Sequence, residues 1–172
     1  MTRNTLIAGA ALAAALLPAA AFAQLSERPP VIGVPRAVAI AESAVGGRTL
    51  EAELDYEKGR LVYEVTAAAP RGVQEVRIDA NSGEIVSQRP KRVQGLWRSW
   101  FGADQLNAVR AAQTPLSQVL SRVEADTKTR VREVSLERQR GQTFYEVELA
   151  DAGRHVLIDP RTGVVREGRI DD

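Results

Sequence analysis

The sequence predicts an α+β protein made of two repeated modules, each one helix packed on a curled antiparallel sheet of three to four strands, joined by a short aromatic helical connector. Three observations predict it. Two stretches of chain match each other in register, the apolar residues switch from a helical to an alternating period within each stretch, and a matching Asp-x-x-x-Gly turn closes both.

The repeat comes first because it fixes what the elements must be. GRLVYEV (Gly59 to Val65) and EVRIDANSGEIV (Glu75 to Val86) return as GQTFYEV (Gly141 to Val147) and HVLIDPRTGVV (His155 to Val165). Pro35 and Pro115 are 80 residues apart, Gly59 and Gly141 are 82 apart, and Asp79 and Asp159 are again 80 apart. The second copy is therefore expected to gain two residues between its helix and first strand and to lose two before its third strand, in loops that tolerate such changes.

Each module opens with a helix, expected over 35–45 and 115–124. A proline suits the first turn of each, and Thr114 is the expected N-cap of the second. Ala37, Ile40, Ala41 and Ala44 in one copy, and Leu116, Val119, Leu120 and Val123 in the other, form an apolar stripe at helical spacing. The period then becomes two. Leu50, Ala52, Leu54 and Tyr56 alternate with acids, and after Lys58-Gly59 the pattern resumes with Leu61, Tyr63 and Val65, then with Val76 and Ile78. The second copy repeats this with Val134 and Leu136, then Tyr145, Val147 and Leu149, then Val156 and Ile158. One apolar sheet face needs one apolar helix face over it.

The closing turns, Asp79 to Gly83 and Asp159 to Gly163, place an Asp where its side chain caps the turn and a Gly where φ must be positive. Short last strands are expected at 84–86 and 164–166. A calcium loop would need several oxygen ligands, and each turn offers one carboxylate.

Residues 1–23 read as an export signal and are set aside. Arg3 is the basic n-region, Leu6 to Leu17 is an apolar run too short to cross a bilayer, and Ala21-Phe22-Ala23 has the small-x-small pattern that a signal peptidase cuts. The expected organisation is signal peptide 1–23, linker 24–34, repeat one 35–88, connector 89–114 and repeat two 115–168. With 23 basic residues, 22 acidic ones and Arg3 lost in the leader, the mature chain balances its charge and offers nucleic acid no basic face. There is no cysteine, so packing alone must stabilise the fold.

The order helix, strand, Gly turn, x-Y-E-V strand and I-D-x-x-[ST]-G hairpin, seen twice, resembles the PepSY domain. The resemblance implies a periplasmic or secreted protein and a role in restraining peptidases, because similar domains occur in the propeptides of thermolysin-type metalloproteases. It carries no catalytic residues to transfer. The leading expectation is a non-enzymatic protein that binds and inhibits an envelope peptidase. The alternative is a periplasmic structural or sensory component that binds a ligand or an assembly partner.

Reactive chemistry is scarce in the residues themselves. No Cys nucleophile, H-E-x-x-H, G-x-S-x-G or phosphate loop occurs, and neither a cofactor nor a metal is expected. The single histidine, His155, falls out of phase with Val156 and Ile158, on the outward sheet face where Glu75 is its counterpart. Glu64 and Glu146 are expected on that face too, as solvated strand residues.

The connector is different in character. Val93, Leu96, Trp97, Trp100 and Phe101 stand at i, i+3, i+4, i+7 and i+8, which on a helix makes an aromatic stripe. Three readings are open: a plug between the modules, a docking site for a protein partner, or contact with a membrane surface helped by Lys91, Arg92 and Arg98. The plug is favoured because a module of about 50 residues is near the lower size limit for folding alone. Trp97, Trp100 and Phe101 are accordingly the candidate inter-module or partner-binding residues.

Overall fold

The computed structural model describes residues 31–91, 102–151 and 153–168. Repeat one is α1 (Val34–Val45), β1 (Arg48–Glu57), β2 (Arg60–Ala69), β3 (Gly72–Asp79) and β4 (Ile85–Pro90). A further helix, α2 (Ala103–Arg110), leads into repeat two, which is α3 (Leu116–Thr127), β5 (Val131–Gln139), β6 (Gln142–Leu149), β7 (His155–Ile158) and β8 (Val165–Glu167). Each repeat is thus one helix and four antiparallel strands.

Local chemistry accounts for the joints. Both helices end on a left-handed residue, Gly46 in one and Lys128 in the other. Directly beyond, the strand begins with its N–H tied back to the helix: Thr49 N donates to Glu42 Oε1 and Val131 N to Glu124 Oε1, each at 2.9 Å. The hairpins β1–β2 and β5–β6 turn on Lys58-Gly59 and Arg140-Gly141, where both central residues have positive φ, as two-residue hairpin loops require. In the closing turns Asp79 Oδ1 accepts from the N–H of Asn81 and Ser82, and Asp159 Oδ1 from those of Arg161 and Thr162. Gly83 and Gly163 end these turns at φ 79° and 71°, and a Cβ on Gly163 would stand 3.1 Å from Val119 of the overlying helix.

The eight strands form one open sheet in the order β4-β3-β2-β1-β5-β6-β7-β8. The join is antiparallel and three residues long: Glu51 faces Ser135, Ala52 faces Val134, and Glu53 faces Glu133. Ala52 and Val134 are repeat mates, 82 residues apart, so each central strand pairs with its own copy and a local two-fold axis runs through that pair. The helices α1 and α3 pack together on one face of this sheet. Val34, Ala37, Val38 and Ala41 of α1, and Leu116, Val119, Leu120 and Val123 of α3, are all in one apolar core with Leu50, Val65, Ile78, Leu136, Val147 and Ile158 of the strands. Sharing a core offsets the small size of each repeat.

Several expectations change. The buried stripe of α1 is rotated: Val34 and Val38 are buried, Ile40 is half-buried and Ala44 is exposed. An alanine-rich helix has more than one face apolar enough to pass as the core stripe, and the volume of Val34 and Val38 decides between them. The register correction follows. Helices, first strands and second strands all keep the 82-residue offset, so the two extra residues of repeat two lie before its helix. Pro35 is inside the first turn of α1, whereas Pro115, not Thr114, is the N-cap of α3. The second indel falls where expected, because β2–β3 is extended by the Ala68–Val73 and Ala69–Gly72 pairs, for which β6–β7 has no equivalents. The last strands also start one residue later, and β4 is longer than expected.

Candidate functional site

Two regions of the sheet bring polar or uncovered groups together. The first is the face turned away from the helices. Its strands alternate, so Glu51, Glu53, Glu64, Glu75 and Arg77 of repeat one share it with Glu133, Glu146, Glu148 and His155 of repeat two. Period two places them there, and antiparallel register sets them side by side.

In repeat one these residues form a closed ionic lattice across four strands. The Arg77 guanidinium uses all three nitrogens: Nε donates to Glu75 Oε1 at 3.0 Å, Nη1 to Glu57 Oε2 at 2.5 Å and Nη2 to Glu64 Oε2 at 3.0 Å. Glu75 Oε1 also accepts from Nε of Arg89 on β4 at 2.9 Å. Lys91 completes the lattice by donating to Thr66 Oγ1 at 2.8 Å, with Glu64 Oε1 3.6 Å away. Glu75 is only 6% exposed, and Glu64, expected to be a solvated strand residue, is half-buried beside it. Two arginines converging from β3 and β4 let a carboxylate be held there, where a lone one would be costly.

Repeat two treats the same positions more sparsely. His155 Nδ1 lies 3.1 Å from Glu146 Oε1, and Arg132 Nη1 donates to Glu148 Oε1 at 2.9 Å. Leu157 takes the place of Arg77, so β7 contributes no guanidinium to this face. Between the halves lies the seam, where Glu53 faces Glu133 directly. Burial pushes the carboxyls of Glu51, Glu53 and Glu133 above their ordinary range, and the neighbouring carboxylates push them further. Among the described residues no cluster of three or more His, Asp or Glu side chains could hold a metal ion.

The second region is the pair of corners where each tyrosine of the Y-E-V motif meets the other repeat. Tyr145 is buried and donates to the Thr49 carbonyl at 2.5 Å, beside Glu42 and Arg48 of repeat one. Tyr63 is buried beside Glu124 and Arg130 of repeat two, with its hydroxyl against the Gly33 backbone. Glu124 and Arg130 are the repeat mates of Glu42 and Arg48, so the arrangement is reciprocal. Burial raises both phenols above their ordinary pKa, most strongly Tyr145. These tyrosines lock the halves together and are closed to a ligand.

Sequence reasoning missed this interlock, although the repeated tyrosines were its visible sign. Trp97, Trp100 and Phe101 lie outside the described residues. His155, Glu64 and Glu146 are on the predicted face but half-buried rather than solvated, because neighbouring strands crowd them, and the structure brings His155 and Glu146 together. Leu54 and Tyr56, predicted to be core, are 38% and 68% exposed.

Two tandem segments, residues 34–89 and 115–169, match the family described as peptidase propeptide and YPEB domain, known as PepSY. The chain belongs to the PepSY family. PepSY domains are generally non-catalytic regulatory and protein-interaction modules, linked to peptidases. The chain is also similar to a crystal structure of a candidate lipoprotein from Clostridium difficile 630, at 16% identity and a TM-score of 0.40, over 84% of this PepSY chain and 97% of that one. No curated protein matches. No helix among the described residues is long and apolar enough to cross a membrane.

Proposed function

We propose that this protein is exported to the periplasm or beyond, has no catalytic activity of its own, and binds and inhibits a peptidase of the cell envelope. The observation that carries the reading is the tandem PepSY match laid over one continuous sheet. Two regulatory modules share a core and act as a single rigid platform with an edge strand at each end. A peptidase cleft binds extended chain by strand addition, and β4 offers it a six-residue edge with Ile85 and Val86 exposed. The bulge at Val86 and the proline at its far end suit that edge to selective pairing and guard it against aggregation.

The test is a titration of the purified mature protein against a panel of envelope metallopeptidases and serine peptidases. Inhibition approaching one-to-one stoichiometry is expected for at least one of them, weakened by Val86→Lys or Ile85→Asp. A flat titration across the panel would reject the reading.

A further inference from the structure

The two corners of the sheet that flank the seam are related by the local two-fold axis, and among the described residues only one of them is covered. At the repeat-two corner α2 is seated. It lies against β1, its residues Leu106 and Val109, one helical turn apart, pack into the core, and its N-cap Gly102 approaches Arg138 so that a Cβ there would stand 3.8 Å from the guanidinium. At this corner Leu136 is 2% exposed. Its repeat mate Leu54 is 38% exposed; Tyr56 is 68% exposed, at a position where its mate Arg138 is also exposed but charged.

The chemistry runs against the exposure. Where repeat two has Arg138 paired with Thr143, repeat one has Tyr56 paired with Leu61. The uncovered corner is therefore the more apolar one, and Leu54, Tyr56 and Leu61 adjoin on the helix side of the hairpin. An apolar cluster at a strand tip, with its covered mate elsewhere in the same molecule, marks a surface that is covered in use. We propose that the Leu54, Tyr56 and Leu61 corner docks an amphipathic helix of a partner protein, presenting two apolar side chains one turn apart as α2 presents Leu106 and Val109.

Spacing and the expected cleavage make the occupant a segment of another chain. α2 starts at Ala103, ahead of α3 at Leu116, and the same spacing ahead of Val34 falls at Ala21. The expected cleavage after Ala23 cuts through that stretch, and Pro29-Pro30 follows it closely. The inference needs a protein partner and does not depend on that partner being a peptidase.

The covered corner supplies the probe. A peptide of residues 102–113 (GADQLNAVRAAQ) is titrated into the isotope-labelled mature protein, and backbone amide shifts are followed. Saturable shifts confined to the β1–β2 hairpin are expected, absent for a peptide in which Leu106 and Val109 are alanine. The variant Tyr56→Arg, which installs the repeat-two residue at the exposed position, keeps its melting temperature and binds about tenfold more weakly. Three results would overturn the proposal: no shifts at the hairpin, contacts between Tyr56 and residues 24–30 of the same chain, or a dimer in sedimentation that Tyr56→Arg abolishes. The peptide readout is separate from the peptidase titration, so either can fail without the other.

Discussion

Repeat one and repeat two place a tyrosine in the same core position, yet they satisfy its hydroxyl differently. Tyr145 reaches across the seam to the Thr49 carbonyl, whereas Tyr63 meets Gly33 in the segment leading into its own helix. The rings serve one purpose, filling the corner under the other repeat's Glu–Arg pair, but only one hydroxyl ties the halves together. Duplication has kept the packing and let the polar contacts drift.

The comparison can be broken most severely through the rings. Tyr145→Ala and Tyr63→Ala should each cost about 3 to 5 kcal/mol, because each empties a buried aromatic site in the shared core. Urea denaturation of both variants checks this, and a similar loss at both positions, in a single transition, is the expected outcome. Loss of cooperativity in only one variant would show that the halves do not depend equally on one core.

The hydroxyls come next in size. Tyr145→Phe strands the buried Thr49 carbonyl and should cost about 1 to 2 kcal/mol, with a smaller cost for Tyr63→Phe. Equal losses would mean that the two hydroxyls do the same work. Smaller again are the strand ties: Glu124→Ala should cost about 1 kcal/mol by leaving the Val131 N–H without its acceptor, and Glu42→Ala should match it. Thermal melts resolve both.

The smallest effect concerns charge at the seam. Glu51, Glu53 and Glu133 hold their protons more tightly when folded than when unfolded, so their ionisation opposes folding. Their penalty is absent at low pH and sets in as pH rises from the ordinary carboxylate range through their raised values. Asp79 and Asp159 have the opposite sign. Turn N–H groups hold Asp79 below its usual range and outweigh the opposing burial at Asp159, so their contribution is present at neutral pH and is lost as pH falls through the depressed values. The melting temperature should therefore rise modestly on mild acidification and fall in stronger acid. Glu53→Gln should add about 0.5 kcal/mol at neutral pH, the scale for like charges directly opposed on neighbouring strands, and should flatten the upper part of the profile. A variant as stable as the parent at every pH would show that the seam carboxylates carry no penalty.

Much of this was legible in the chain. The alternation around Tyr63 and Tyr145 and the Asp-to-Gly turns are local signals, and they yielded the modules, the strands and the hairpins. The stripe of α1 was not legible in the same way, because Ala37, Ile40, Ala41 and Ala44 make as good a helical face as Val34, Ala37, Val38 and Ala41. The joining of the modules was illegible for a different reason. A strand with one apolar face reads the same whether its edge is free or paired, so nothing at Ala52 announces Val134. Glu75 resisted because its burial depends on Arg77 and Arg89 arriving from two strands. Leu54 and Tyr56 resisted because period two identifies the face a residue lies on, while exposure depends on what is laid over it.

A central strand that pairs with its own duplicate is self-complementary. Cut between the repeats, either half would bare an edge already shaped to receive a second copy of itself, centred on Ala52 between two glutamates in one half and on Val134 between Glu133 and Ser135 in the other. Two identical halves could rebuild the eight-stranded sheet as a symmetric dimer. The tandem chain thus has the geometry of a homodimer whose two subunits are written into one polypeptide.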